Sequence, residues 1–183
     1  ADLAGVLKWG LDNPRTALER SSGRTTAITV ALGAIAKLFL EKLDVKIAGR
    51  IIAFGNEILI PDPTPLSNCQ IERSGESWLD SFGKISDDNF RRIEKAVENA
   101  RMNGDTLGGV VQVVATGVIP GIGSCALPEE RLDSRLASAV MSVPGIKAVE
   151  IGAGISQSGK AGREAHDKFA VCEGLESSSP FSR

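Results

Sequence analysis

Ile28, Ala31, Leu32, Ile35, Leu38, Phe39 and Leu43 recur at three- and four-residue steps, a spacing that predicts an amphipathic helix across Ser22–Leu43. An apolar face this broad has to be covered by other elements, so most of the helix is expected in a core. Directly ahead of it stands Glu19-Arg20-Ser21-Ser22-Gly23-Arg24. A helix start exposes backbone N–H groups and the positive end of the helix dipole, which together suit an anion. Here Ser21 and Ser22 can cap the helix or donate hydroxyl protons, and Gly23 lets a ligand approach the backbone. Arg20 and Arg24 add forked, permanently charged donors for phosphate or carboxylate. The segment therefore reads as an anion-binding helix start, with a serine cap between two solvated arginines as the plainer alternative.

The chain has 183 residues, 42% of them hydrophobic, enough for one sizeable core, and length alone predicts a single domain over 1–183. A net charge of −2 provides no general field for nucleic acid or an acidic membrane, so any anion site must be local. Lys37 and Glu41 interrupt the longest apolar stretch before the ~18 residues a membrane span needs. Neither a nucleic acid nor a membrane is expected as a partner. Cys69, Cys125 and Cys172 are widely spaced and only one histidine accompanies them, which argues against a metal site and a disulfide framework. Buried or inert thiols in a reducing cytoplasm are the expectation. Ala1 opens the chain in place of an initiator methionine, and Leu3, Val6 and Leu7 already have helical spacing, so truncation or processing is expected.

Further along, β-branched and apolar residues over Val45–Phe54 predict a strand closed by Gly55-Asn56, with Ile58–Ile60 prolonging or re-pairing it. Three prolines in Pro61–Pro65 open an irregular connection over 61–85, in which Trp78, Leu79 and Phe82 read as local core. Ser86 with Asp87 and Asp88 predicts a capped helix start, with Phe90, Ile93, Val97 and Ala100 as its buried stripe and Gly104 as its stop. A nearly continuous apolar strand follows over Val110–Val118, then a turn at Pro120–Gly123. Next come a helix opened by Pro128 with Leu132, Leu136, Ala139, Val140 and Val143 on its apolar face, and a third strand over Ile146–Ile151. Gly152–Gly162 reads as a loop rather than a phosphate cradle, and 174–183 as a polar tail. Helices alternating with strands predict helices packed on a sheet, leaving parallel and antiparallel order open.

The spacing E-x-x-S-G-R-x-T-x-x-x-V-x-x-G-A-I, running from Glu19 through Ser22, Gly23, Arg24, Thr26, Val30 and Gly33 to Ile35, resembles a signature of the chorismate synthase family. That family usually writes it R-S-S-A-R, with alanine where this chain has Gly23. Ala31–Lys37 is similar to the family's A-A-G-A-I-A-K helix, Gly104–Val111 to its D-S-x-G-G-x-V strand entry, and Gly117–Gly123 to its G-V-P-x-G-x-G turn. Met141–Gly152 resembles M-S-I-P-A-V-K-G-V-E-I-G.

The resemblance implies an α+β fold: a β-α-β sandwich of chorismate synthase type, with helices packed between antiparallel sheets, present here as a partial domain. It implies a cytoplasmic, homotetrameric lyase of the shikimate pathway and aromatic amino acid biosynthesis. Its reaction is the anti-1,4-elimination of phosphate and a proton from 5-enolpyruvylshikimate 3-phosphate to give chorismate, with reduced FMN as cofactor and NADP tied to flavin reduction. On matched positions, Arg20, Ser21, Ser22 and Gly23 would contact the flavin and Arg24 the substrate's anionic groups. Gly162–Asp167 resembles the family's G-S-x-x-x-D segment, implying flavin contacts at Glu164 and Ala165. The lone His166 reads as solvent-facing.

Family members are about twice as long. Their G-E-S-H-G and R-P-G-H histidines, K-P-I-x-T flavin loop and R-x-D segment have no counterparts in this sequence. No catalytic residue is therefore assigned, and the chain by itself is expected to be inactive. The alternatives are a noncatalytic structural or oligomerisation core and an unrelated phosphate-binding module.

Overall fold

The computed structural model describes residues 3–60 and 85–166. Trp78, Leu79, Phe82, Cys69, Cys172 and the 174–183 tail lie outside the described residues, as does the 61–85 connection except for Ile85. The element order is α1 (Leu3–Trp9), α2 (Pro14–Ser21), a 3-10 turn (Gly23–Thr25), α3 (Thr26–Glu41), β1 (Lys46–Phe54) and β2 (Glu57–Ile58). These are followed by α4 (Asp87–Met102), β3 (Gly109–Thr116), a 3-10 turn (Pro128–Glu130), α5 (Leu132–Met141), a 3-10 turn (Gly154–Gly159) and α6 (Gly162–Ala165). They form two compact units, one drawn from Ala1–Val45 with Val118–Ile151 and the other from Lys46–Gly117 with Gly152–Arg183.

In the first unit, Asn13 caps α2 by accepting from the Arg15 N–H (2.9 Å), and Pro14 fills the first helical position, where its missing donor costs nothing. Further on, α3 ends in a Schellman arrangement, with Val45 N–H on the Leu40 carbonyl (3.0 Å) and Asp44 N–H on that of Glu41 (3.2 Å). That motif puts Asp44 at φ 59°, a left-handed position that glycine usually fills. The helix expected from Pro128 to Val143 is split by extended Arg131 (ψ 136°) into a 3-10 turn and α5. Arg131 instead clamps Asp133 (Nε to Oδ1 3.1 Å) at the start of α5 and holds that carboxyl below the usual range.

Burial departs from expectation. Among the described residues only Ala17 and Leu59 are buried, and Ile28, Leu32, Ile35, Leu38 and Phe39, on one face of α3, are each more than 60% exposed. The periodicity correctly gave the helix, but among the described residues nothing covers its apolar side. Within the run Pro14–Glu41, an 18-residue window of mean hydropathy 1.3 does meet a composition and length criterion for crossing a membrane, contrary to the reading that Lys37 and Glu41 prevent it. The helix is nonetheless broken at Ser22 (ψ 139°), and the 16 residues of α3 span only about 24 Å, short of the ~30 Å hydrocarbon thickness.

The second unit is a three-stranded antiparallel sheet in the order β2-β1-β3, which settles the direction that alternation left open. On α4, Ser86 caps as expected, accepting from Asn89 N–H (3.3 Å), and Gly104 at φ 64° closes the helix. Its stripe is only partly covered, with Phe90 58% exposed. Between Ile51 and Ala53 the register slips by one residue, and the extra Ile52 turns its carbonyl to the N–H groups of Leu59 (3.0 Å) and Ile60 (3.2 Å). The pairs Ile47–Ala115, Gly49–Val113 and Ile51–Val111 share one apolar face, where Val111 and Val113 are exposed. No strand forms over Ile146–Ile151, because no partner ladder exists for it among the described residues. Cys125 is exposed rather than buried.

Gly108, just ahead of β3, and Gly109, its first residue, differ in kind. A Cβ on Gly109 would lie 2.9 Å from the Ala53 carbonyl oxygen, whereas one on Gly108 would meet nothing within 4 Å. Gly109→Ala is therefore expected to destabilise the sheet by about 1–3 kcal/mol, as overpacking against backbone does. Gly108→Ala should stay within about 0.5 kcal/mol. Urea unfolding of both variants, read by circular dichroism, checks the contrast.

Candidate anion-binding site at a helix break

The candidate motif does not open one helix. It joins two. Arg20 and Ser21 belong to the last turn of α2, and at Ser22 the backbone leaves the helical region (φ −68°, ψ 139°) while its N–H still closes α2 on the Leu18 carbonyl (2.8 Å). The Ser22 hydroxyl oxygen then accepts from the Arg24 N–H (3.3 Å), and the Ser22 carbonyl takes the Thr25 N–H (3.1 Å) and hydroxyl (2.9 Å). One residue thus caps the end of α2 and the start of the 3-10 turn, while Thr25 is the N-cap residue of α3. The helix start expected at Ser22 is displaced to Thr26, because three residues are spent on a tighter 3-10 turn first.

This geometry separates the motif's donors. Ser21 donates its hydroxyl proton to the Ala17 carbonyl (3.2 Å), a bond within α2 that turns it away from the next helix. Ser22 accepts the cap bond with one lone pair, and among the described residues no acceptor takes its hydroxyl proton. Among the described residues, no acceptor takes the Gly23 N–H. The space beside Gly23 is open, with no atom within 4 Å of a built Cβ and no positive φ, so the alanine usual in the family would fit here too. Arg24 is exposed and its Nη2 pairs with the Glu19 carboxylate. For Arg20 the backbone sits at the C-terminal end of α2, where a cation is favoured, and its side chain lies outside the described set.

Glu164 and Ala165 lie in α6, in the other compact unit. Both of their N–H groups already reach the Ala161 carbonyl (2.8 and 3.1 Å). His166 is exposed, as its polar surroundings suggested. Among the described residues, no three His, Cys, Asp or Glu gather as metal ligands. A groove of about 520 Å³ in the second unit lies between α4 and the β1–β2 turn, but there Arg92 is already committed to Glu57 (2.7 Å) and Asn89 (3.2 Å). Two features escaped the reading of the sequence: α2 itself, signalled by the Asn13-Pro14 cap, and Glu19 as the partner of Arg24.

An α+β chain with an antiparallel sheet and a helix break that gathers serine, glycine and arginine donors is the class that fold and site define. The family model of chorismate synthase matches residues 1–179. A chorismate synthase of Anaeromyxobacter sp. (strain K) is 46% identical over 169 residues, covering 91% of this chain and 42% of that protein. One from Corynebacterium efficiens is 41% identical over 170 residues, covering 92% and 41%. A crystal structure of chorismate synthase superposes with a TM-score of 0.82 at 32% identity, over 94% of this chain and 53% of that one. This chain belongs to the chorismate synthase family, and it spans about two-fifths of the length of the curated relatives it matches.

If Ser22 ties the helices together as described, Ser22→Ala removes the cap on Arg24 and costs about 1 kcal/mol. Amide exchange should quicken at Arg24 and Thr25 while the interior of α3 keeps its protection. Unchanged exchange at Arg24 would remove the cap from the account.

Proposed function

We propose that this chain supplies one wall of a chorismate synthase active site, in which the break at Ser22–Arg24 binds anionic groups of the cofactor and substrate. The observation that carries this is the set of donors gathered at one point of the chain: the Ser22 hydroxyl, the Gly23 N–H and the donors of Arg24 other than the Nη2 paired with Glu19. The reaction is the 1,4-elimination of 5-enolpyruvylshikimate 3-phosphate to chorismate, in which a C–O bond to phosphate and a C–H bond break without net redox change.

The donor set fits the phosphate of FMN, with Ser22 and Gly23 donating and Arg20 adding charge. Ser21 fits less well, since its proton is held by Ala17. Reduced FMN, when bound, supplies transient electron density to the substrate. The tasks of this chain's residues are binding, orientation and neutralisation. Arg24 offers its remaining donors to a phosphate or carboxylate, and stabilising the charge of a departing phosphate lowers the barrier to its departure. Glu164 and Ala165 are assigned to the flavin by their family match. No residue here is assigned as acid or base, so turnover requires groups from outside this sequence. The exposed apolar face of α3 supports a further part of the reading, in which more polypeptide covers it, within a longer chain or a homotetramer. A cytoplasmic setting and NADP-linked flavin reduction complete the assignment.

The test combines FMN titration, phosphate titration and a chorismate assay on the 183-residue chain. We expect saturable FMN binding, no chorismate, and roughly tenfold weaker phosphate binding in Arg24→Ala, the low end for a charged hydrogen bond because the guanidinium is exposed. Chorismate formation would overturn the inactivity, and absence of FMN binding would overturn the cofactor wall.

A further inference from the structure

We infer that Glu19 is a positioning residue for Arg24, fixing the direction of its guanidinium before an anion arrives; the inference rests on the anion site proposed above. Glu19 sits in the last turn of α2, where the negative end of the helix dipole disfavours a carboxylate, so the helix itself gives no reason for an acid there. What Glu19 reaches is Arg24 Nη2. Residues five apart on a continuous helix point about 140° away from each other and do not meet. The pair exists because the chain breaks at Ser22 and the 3-10 turn folds Arg24 back over the end of α2.

Its two side chains are 60% and 54% exposed, and a pair this open to water adds little to stability. Its consequence is directional. One nitrogen of the guanidinium is paired with the carboxylate, which leaves the other donors of the fork for an anion. An anion then meets a partly ordered arginine and pays less rotamer entropy on binding.

The ¹⁵N-labelled 183-residue chain tests this through the Arg24 Nε–H resonance, assigned with Arg24→Lys, and through titration with inorganic phosphate. In the parent chain Arg24 Nε–H should be more ordered than that of Arg15. Glu19→Gln should abolish that difference and weaken phosphate binding about threefold to tenfold, the range set by immobilising one long side chain. Glu19→Asp, which keeps the charge, should fall between the two. Unchanged or tighter phosphate binding in Glu19→Gln would overturn the inference, since Glu19 would then be idle or a competitor for the same guanidinium. Absence of any phosphate response at Gly23 and Arg24 in every protein would instead overturn the anion site, and the role of Glu19 with it.

Discussion

One backbone dihedral organises the first unit. At Ser22 ψ swings to 139°, α2 stops, and the following residues begin a new helical turn whose first N–H, that of Gly23, meets no acceptor among the described residues. Had the chain continued helically, Gly23 and Arg24 would have donated to carbonyls of α2 and nothing would remain for a ligand. The break keeps the Gly23 N–H available, places the Ser22 hydroxyl on Arg24, and folds the Arg24 side chain back to Glu19. The proposed anion site is thus a product of an interrupted helix. It also shortens the apolar segment, since neither α2 nor α3 alone has the length of a membrane span.

The second constraint is apolar surface. Ile28, Leu32, Ile35, Leu38 and Phe39 line one side of α3, and Val111 and Val113 extend the same chemistry on the sheet, all in contact with solvent. Faces of this kind are stable when covered. Relatives that run to more than twice this length have the polypeptide to cover them, which is why the proposed activity is assigned to an assembly larger than these residues.

Local rules were legible in the sequence and cooperative ones were not. Ser86 as a cap, Gly104 as a stop, Gly55-Asn56 as a turn and β1 within one residue of its expected start all depend on neighbours in sequence. Antiparallel pairing and the bulge at Ile52 depend on partners about 60 residues away, which periodicity cannot name. The strand expected over Ile146–Ile151 failed for the same reason, since an apolar run becomes a strand only where a ladder accepts it. The motif of the proposed anion site was legible but its geometry was not. A serine cap can begin a helix at the next residue or after a 3-10 turn, and Ser22 does the second, which left Arg20 and Ser21 on the helix before it.

Anion binding at the break itself can be read by amide chemical-shift mapping of the 183-residue chain during addition of FMN. The largest shifts are expected on the N–H groups of Gly23 and Arg24, with α4 and the sheet unmoved. Shifts centred instead on the groove around Lys95 and Asn99, with Gly23 and Arg24 silent, would contradict it.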